Sequence, residues 1–386
     1  MKQPRVVMIV RLFFPWVGGT ERQAHKLAKE LIKRGLEVEI VTGWWFRKTL
    51  QREWIEGVPV FRNLTLWEMF GIRGLRRFGG YLYIFSLLWY LGRTRQDYDI
   101  IHVHGLNYHT FTAVLAGRWF RRKVIAKLAN SGDASDIKKM RREQQLPLES
   151  YMIPLTLQCD RFVATTRAIA DELAAEGVST KNIVQLPNGV ETDLIEAKAD
   201  YEFGKTVHLT FVGRLHEQKG LDTLFKSFAR LLNDTQSNIC LRLVGDGPLR
   251  GELTSLAKEL KIEDKVVFIG KSDNVYPYLK ETDIFILPSR AEGMSNALLE
   301  AMTFGLPVVT SNIPGNAMLI QDQKNGLLFE VENVDSMVNS VKRYLTDSDL
   351  RQRMGRSARK TVEEQYSLES VADRYIALYN TLLDEK

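Results

Sequence analysis

The stretch that decides the fold is VHLTFVGRLHEQKGLDTLFKSFARLL, Val207 to Leu232. Its first part, Val207–Gly213, is a short apolar run closed by glycine, the pattern of a strand buried on both faces. Its last part carries Leu221, Leu224, Phe225, Phe228 and Leu231, which fall on one stripe at a period of 3.6. A strand, a glycine loop and an amphipathic helix in that order open a parallel βαβ unit. The pattern then repeats. Leu241–Val244, Val266–Ile269, Ile284–Leu287 and Val308–Thr310 read as further strands, and the helix between the first two is expected to begin near Pro248.

The same alternation fills the first half. Residues 5–12 read as a strand, and Ala24, Leu27, Ala28, Leu31 and Ile32 as the stripe of a helix that Gly35 stops. Leu36–Thr42 alternates as a strand. Ile100–His104, Lys123–Leu128 and Arg161–Ala164 are short apolar runs, and Ile169, Leu173 and Ala174 mark another helix. The polar stretch 191–205 reads as a linker. The expected fold class is α/β, with Rossmann-like domains over 1–190 and 206–366, since 386 residues exceed one comfortable core. Two such halves imply a cleft, and open parallel sheets bind ligands beyond the carboxyl ends of their strands.

Composition narrows the class. With 45% apolar and 26% charged residues the chain is a folded soluble protein, not a disordered one. Cys159 and Cys240 form no CxxC pair, which excludes a disulfide scaffold or thiolate zinc site and suits a reducing compartment. The basic start is followed by only the short apolar run Val6–Val10, too short for a signal peptide, so a cytoplasmic location is expected. The net charge of +6 is unevenly placed. Between Trp67 and Arg95 lie Arg73, Arg76, Arg77, Arg93 and Arg95 against the single acid Glu68, interleaved with Phe78, Tyr83, Phe85, Trp89 and other aromatics. The longest apolar run there, Tyr81–Gly92, is well short of the roughly 20 residues a membrane span needs. Two readings stay open: a helix lying on an anionic membrane surface, or a buried helix with an arginine-rich outer face. No nucleic-acid-binding motif accompanies the charge.

Three loops carry candidate chemistry. In Val17-Gly18-Gly19-Thr20-Glu21, Gly18 and Gly19 let backbone approach a ligand at a helix N-terminus, although a plain tight turn reads equally well. It is not the GxGxxG dinucleotide fingerprint. In Gly213–Gly220, Arg214 and Lys219 flank a helix start, a combination that suits a diphosphate; solvated surface charges are the alternative. In Pro288–Met302, Glu292 lies in a loop after a strand and Glu300 inside the following helix. Eight helical residues span roughly 12 Å, comparable with the reach from a sugar past a diphosphate to a ribose. The N–H groups of Met294, Ser295, Asn296 and Ala297 would then hold phosphates. A carboxylate pair for glycoside hydrolysis would have to flank one bond at about 5–9.5 Å.

Glu292–Ser311, EGMSNALLEAMTFGLPVVTS, resembles the E-x7-E motif region of family 4 retaining glycosyltransferases of the GT-B fold, nearly residue for residue. Gly18-Gly19-x-Glu21 is similar to that family's N-terminal glycine motif, Gly213-Arg214 with Lys219-Gly220 to its phosphate-binding pair, and Leu186–Val190 to its interdomain boundary. By position His104 resembles the active-site histidine that contacts the donor sugar, and His109 is a second candidate. His102 is expected on the opposite face of the strand. The chain departs from the pattern after Ser311, where Asn312-Ile313-Pro314-Gly315-Asn316-Ala317 replaces a Gly-Gly…Pro-Glu run.

The resemblance implies transfer of a hexose-type sugar from a nucleotide sugar, UDP favoured, with retention and without a metal or other cofactor. It makes His104 and Glu292 catalytic, and assigns Gly18, Gly19, Arg214, Lys219, residues 294–297 and Glu300 to the donor. It also returns the helix from Ser367, residues 367–386, to the first domain. Two DxD strings, Asp97-Tyr98-Asp99 and Asp347-Ser348-Asp349, read as chance matches. The acceptor, a glycan or lipid-linked molecule, is expected on the first domain. There Asn130–Asp136 with Lys138, Lys139, Arg141 and Arg142, and Trp44–Lys48, suit a mobile loop and a membrane surface, or an ordinary loop. A nucleotide-sugar epimerase and a non-catalytic nucleotide-sugar-binding subunit remain alternatives.

Overall fold

A computed structural model describes residues 3–16, 18–46, 48–65, 76–130, 135–142, 149–193 and 195–385. The chain divides into two compact units, Met1–Gly189 with Leu368–Lys386, and Val190–Ser367.

The first unit runs β1 (Arg5–Val10), α1 (Gly19–Lys33), β2 (Glu37–Gly43), β3 (Arg52–Ile55), β4 (Val58–Asn63), α2 (Arg76–Arg93), β5 (Ile100–His104), α3 (Tyr108–Phe120), β6 (Lys123–Leu128), α4 (Asp136–Arg142), α5 (Glu149–Thr156), β7 (Arg161–Ala164), α6 (Arg167–Ala175) and β8 (Ile183–Gln185). Its sheet is ordered β3-β4-β2-β1-β5-β6-β7-β8, parallel except for the antiparallel edge pair β3–β4. Alternation along β1 sends Val7 and Ile9 into a core with α2 and α3. Val6, Met8 and Val10 pack on the other face with α1 and with α14 (Leu368–Asp384), which contributes Val371, Tyr375, Leu378 and Tyr379.

The second unit runs β9 (Val207–Val212), α7 (Leu221–Asp234), β10 (Ile239–Val244), α8 (Arg250–Glu259), β11 (Val266–Gly270), α9 (Tyr276–Lys280), β12 (Ile284–Leu287), α10 (Asn296–Thr303), β13 (Val308–Ser311), α11 (Pro314–Ala317), β14 (Leu327–Phe329), α12 (Val334–Thr346) and α13 (Ser348–Gln365). The sheet order is β11-β10-β9-β12-β13-β14, the doubly wound order 3-2-1-4-5-6 in chain terms. The predicted stripe of α7 is buried at Leu221, Leu224, Phe225, Phe228 and Leu231. The helix expected near Pro248 starts at Arg250.

The stretch 191–205 is strapped to this second unit and is not a free linker. Ile195 and Tyr201 are buried. The Arg359 guanidinium donates to the carbonyls of Thr192, Ile195 and Thr303, and Arg351 donates to the Tyr201 carbonyl at 3.0 Å while stacking 3.8 Å from the Phe203 ring. The backbone carbonyls of Thr192, Ile195 and Tyr201 are satisfied by these two arginines, so low hydrophobicity did not mean detachment.

α2 carries the basic, aromatic segment. It buries Tyr83, Leu87, Tyr90 and Leu91 and leaves Phe85 and Trp89 more than 60% exposed, with Arg93 over the Trp89 ring. The helix is therefore packed on one face and aromatic, as well as basic, on the other; residues 66–75 lie outside the described ones. No helix among the described residues is long and apolar enough to cross a membrane. Trp45, expected on a surface, is a core residue whose indole N–H donates to the Arg11 carbonyl.

Gly245, at φ +145°, is required by packing as well as by backbone conformation: a Cβ there would lie 1.9 Å from the Gly213 carbonyl oxygen. Gly245→Ala should destabilise the second unit by about 2–4 kcal/mol, whereas Gly251→Ala, with open space around it, should stay within about 1 kcal/mol of wild type; urea unfolding of both variants checks this.

A second outcome concerns the first unit. Burial holds His102 at about 3 and His109 at about 4, and pushes His104 well below the ordinary range. The unfolded chain takes up these protons near pH 6.5 and the folded unit does not, so stability present at pH 7 should fall as pH drops below about 6.5. His109→Gln should lessen that slope by about 1.4 kcal/mol per pH unit between roughly 4 and 6.5, read from urea melts across pH.

Candidate functional site

In a doubly wound sheet the loops following the two central strands leave on opposite sides, and a crevice opens between them. In the second unit those strands are β9 and β12. Loop 213–220 follows one and loop 288–295 the other, and both pack main chain to main chain. Gly220, at φ +60°, ends a short 3-10 turn (Glu217–Lys219) and starts α7; a Cβ on it would lie 2.2 Å from the Pro288 carbonyl oxygen. The Arg290 N–H donates to the Gln218 carbonyl at 2.8 Å, and the Gln218 amide donates to the Ala291 carbonyl at 2.7 Å.

On this frame Lys219 and Glu292 form a direct ion pair, both largely buried. The Ser289 hydroxyl donates to the same Glu292 Oε1 at 2.7 Å. Arg214 is exposed on the first loop, and no hydrogen bond or ion pair with another described residue engages its guanidinium. Ser295 caps α10 by accepting from the Leu298 N–H at 3.3 Å. Met294 and Ser295 are buried, Asn296, Ala297 and Glu300 half-buried, with Glu300 facing out from the middle of α10. The second unit thus gathers the cations of one loop, the carboxylate of the next and a helix start. Two like-signed charges with a helix start can hold a diphosphate, and a carboxylate tethered by a lysine and a hydroxyl can accept from polyol hydroxyls.

Several supporting residues were not singled out from sequence. Arg290 donates to both oxygens of Asp222 at 2.7 and 2.9 Å and to the Glu217 carbonyl at 2.6 Å, clamping the two loops. The run Asn312–Ala317, where the pattern departs from the family, lies against the Glu292 loop. A Cβ on Gly315 would fall 2.0 Å from the Gly293 carbonyl oxygen, and fully buried Asn316 donates to the Thr310 hydroxyl at 2.7 Å. A Gly-Asn pair after a strand was the available signal.

In the first unit the corresponding crevice follows β1 and β5. The Gly18 N–H donates to the Glu21 carboxylate at 2.9 Å, so the glycine motif caps α1 with its own glutamate, whose pKa burial raises. Gly19 is the first residue of α1. His104 ends β5, almost fully buried, and its ring stacks on His102 at 4.5 Å. This corrects the expectation for His102: residues two apart on a strand share a face. His102 Nδ1 lies 2.8 Å from the Tyr379 hydroxyl of α14, and His109 Nε2 lies 3.2 Å from the His104 carbonyl oxygen.

The remaining candidates separate. Asp99 is paired with Arg5, whose guanidinium lowers its pKa, and Asp347 caps α13 through the Leu350 N–H, so each DxD string has a structural partner. Asp136 accepts from the Ala129 N–H and the Asn130 amide, and Arg141 pairs with Glu176; residues 131–134 lie outside the described ones. Among the described residues no group of three or more His, Cys, Asp or Glu side chains could hold a metal ion.

Comparison with known proteins places the chain in a family. The model for Glycosyltransferase Family 4 matches residues 17–194, and the model for Glycosyl transferases group 1 matches 195–361. The chain is 27% identical to N-acetyl-alpha-D-glucosaminyl L-malate synthase of Bacillus anthracis over 97% of each chain. It is 30% identical to N-acetylgalactosamine-N,N'-diacetylbacillosaminyl-diphospho-undecaprenol 4-alpha-N-acetylgalactosaminyltransferase of Campylobacter jejuni, over 64% of this chain and 67% of that one. Among solved structures, sucrose-phosphate synthase of Thermosynechococcus elongatus superposes with a TM-score of 0.80 at 19% identity over all of both chains. Anabaena HepE in complex with UDP-glucose superposes with a TM-score of 0.77 at 17% identity, over 98% of this chain and 99% of that one. The chain belongs to glycosyltransferase family 4 and has the GT-B fold.

Proposed function

We propose that this protein transfers a hexose-type sugar from a UDP-sugar to a hydroxyl of a glycan or lipid-linked acceptor in cell-envelope or polysaccharide synthesis, retaining anomeric configuration without a metal or other cofactor. The observation that carries the reading is the Lys219–Glu292 pair, braced by Ser289, beside exposed Arg214 at the β9/β12 crevice. The HepE complex, which holds UDP-glucose, supports the donor class. The Campylobacter relative, named for a diphospho-undecaprenol substrate, supports a lipid-linked acceptor.

Loss of the nucleoside diphosphate develops negative charge, which Arg214, Lys219 and the start of α10 neutralise. Engagement of Lys219 by phosphate frees Glu292 to accept from sugar hydroxyls, and Glu300 meets the ribose. The family resemblance further assigns Gly18, Gly19 and His104 of the first unit to the donor, with His104 on its sugar. The bond from the anomeric carbon to phosphate breaks as the acceptor oxygen bonds on the same face. The electron pair leaves on the phosphate oxygen, which also takes the acceptor's proton. Phe85 and Trp89 with Arg93 give the first unit a surface for peripheral contact with anionic membrane on its cytoplasmic side; nucleic acid is not a partner.

Arg214→Ala should weaken UDP binding about 10- to 100-fold, the worth of a charge-assisted contact, by calorimetric titration. Glu292→Gln should cut kcat by about 100-fold or more while the melting temperature stays within a few degrees. Turnover should survive EDTA; loss of activity restored by manganese would contradict the metal-free reading. Phe85→Ser with Trp89→Ser should reduce co-sedimentation with phosphatidylserine vesicles at low salt while leaving UDP affinity unchanged.

A further inference from the structure

Lys127 lies one residue before the end of β6, in register with His104 on β5. It is about 5% exposed, and among the described residues no carboxylate pairs with it. The ring of Tyr375 lies 5.8 Å from its Nζ. Burial lowers its pKa to about 8. Around it, both ring nitrogens of His104, Nε2 of His102 and the Tyr375 hydroxyl are buried without a hydrogen-bond partner among the described residues. Uncompensated buried cations and unsatisfied polar atoms are costly, and a cluster of them at a strand's carboxyl end is where a ligand would satisfy them. Among the described residues none of the groups around Lys127 carries a negative charge: burial keeps His102 and His104 neutral, each with one ring N–H donor and one ring acceptor, and keeps the Tyr375 hydroxyl protonated.

We infer that Lys127 is an oxyanion subsite of the first unit that receives phosphate oxygens of the acceptor. The inference rests on the reading of the protein as a transferase with a lipid-linked acceptor. On the proposed reading Arg214 and Lys219 of the second unit serve the donor's diphosphate, and Lys127 is a further cation, carried by the first unit. Phosphate oxygens at this position neutralise the ammonium, accepting from its N–H groups and from the unpartnered Tyr375 hydroxyl. The cost of keeping Lys127 buried is then recovered on binding.

The test uses the full chain and inorganic pyrophosphate, with sodium chloride at matched ionic strength as control. Pyrophosphate-dependent melting is followed for wild type, Arg214→Ala, Lys127→Met and the double variant. Arg214→Ala should keep a pyrophosphate-dependent rise in melting temperature, and the double variant should lose it, with apparent affinity at least ten-fold weaker. Without anion, Lys127→Met should melt at or above the wild-type temperature, because an uncompensated ammonium has been removed. A fall of several degrees would show a purely structural lysine and overturn the inference, as would equal pyrophosphate responses in Arg214→Ala and the double variant. UDP titration of Lys127→Met separates the two substrates: unchanged affinity is expected, and a ten-fold loss would place Lys127 on the donor and overturn the acceptor assignment. Failure of the wild type to bind UDP would sink the donor reading while the pyrophosphate series stays interpretable.

Discussion

Right-handed crossovers force each parallel strand to hand the chain to a helix on a fixed side. When strands are added outward from the middle of a sheet in both directions, the two central strands send their loops apart. In the second unit that pair is β9 and β12, and everything functional in that unit follows from the gap between their loops. Three glycines let the walls close without side chains in the way: Gly220 against Pro288, Gly245 against Gly213 and Gly315 against Gly293. Where backbones touch, loops are held by carbonyl positions that no side-chain motion can shift, and this fixes Glu292 far better than a solvated loop would.

The two units manage charge differently. In the second, cations and carboxylate neutralise one another before any ligand arrives, as Lys219 does with Glu292 and Arg290 with Asp222 and Glu332. In the first, the groups at the carboxyl ends of β5 and β6 are kept neutral or left uncompensated by burial, with three histidines depressed and one lysine lowered. On the proposed reading, a ligand of the second unit exchanges one ion pair for another, and a ligand of the first supplies the charge that Lys127 lacks.

Much of the architecture was legible because parallel strands buried on both faces read as plain apolar runs, and helices such as α7 carry their stripe openly. The Arg214, Lys219, Glu292 and Glu300 loops were visible as charged residues placed just after such runs. Other features depended on information that sequence spreads out. The ion pair of Lys219 with Glu292 joins loops 73 positions apart, and the Arg290 clamp joins loops equally distant. Stretch 191–205 looked detached because its anchors are backbone carbonyls, which have no letter in a sequence. His102 was misplaced for a simpler reason: the two-residue period of a strand puts it beside His104. Lys127 passed as part of an apolar strand, because a single lysine at a strand end gives no pattern until its missing partner is seen.

α14 packs with the first unit although the whole of Val190–Ser367 precedes it in the chain. The second unit is therefore an insertion, entered and left through neighbouring segments, as the parallel bridge between Val190 and Ser367 records. During synthesis the second unit emerges complete while the first still lacks the helix that covers His102, His104 and Lys127. One face of the first sheet must stay open until Tyr375 and Tyr379 arrive. The order in which the ribosome delivers the two halves is thus the reverse of the order in which they can be finished.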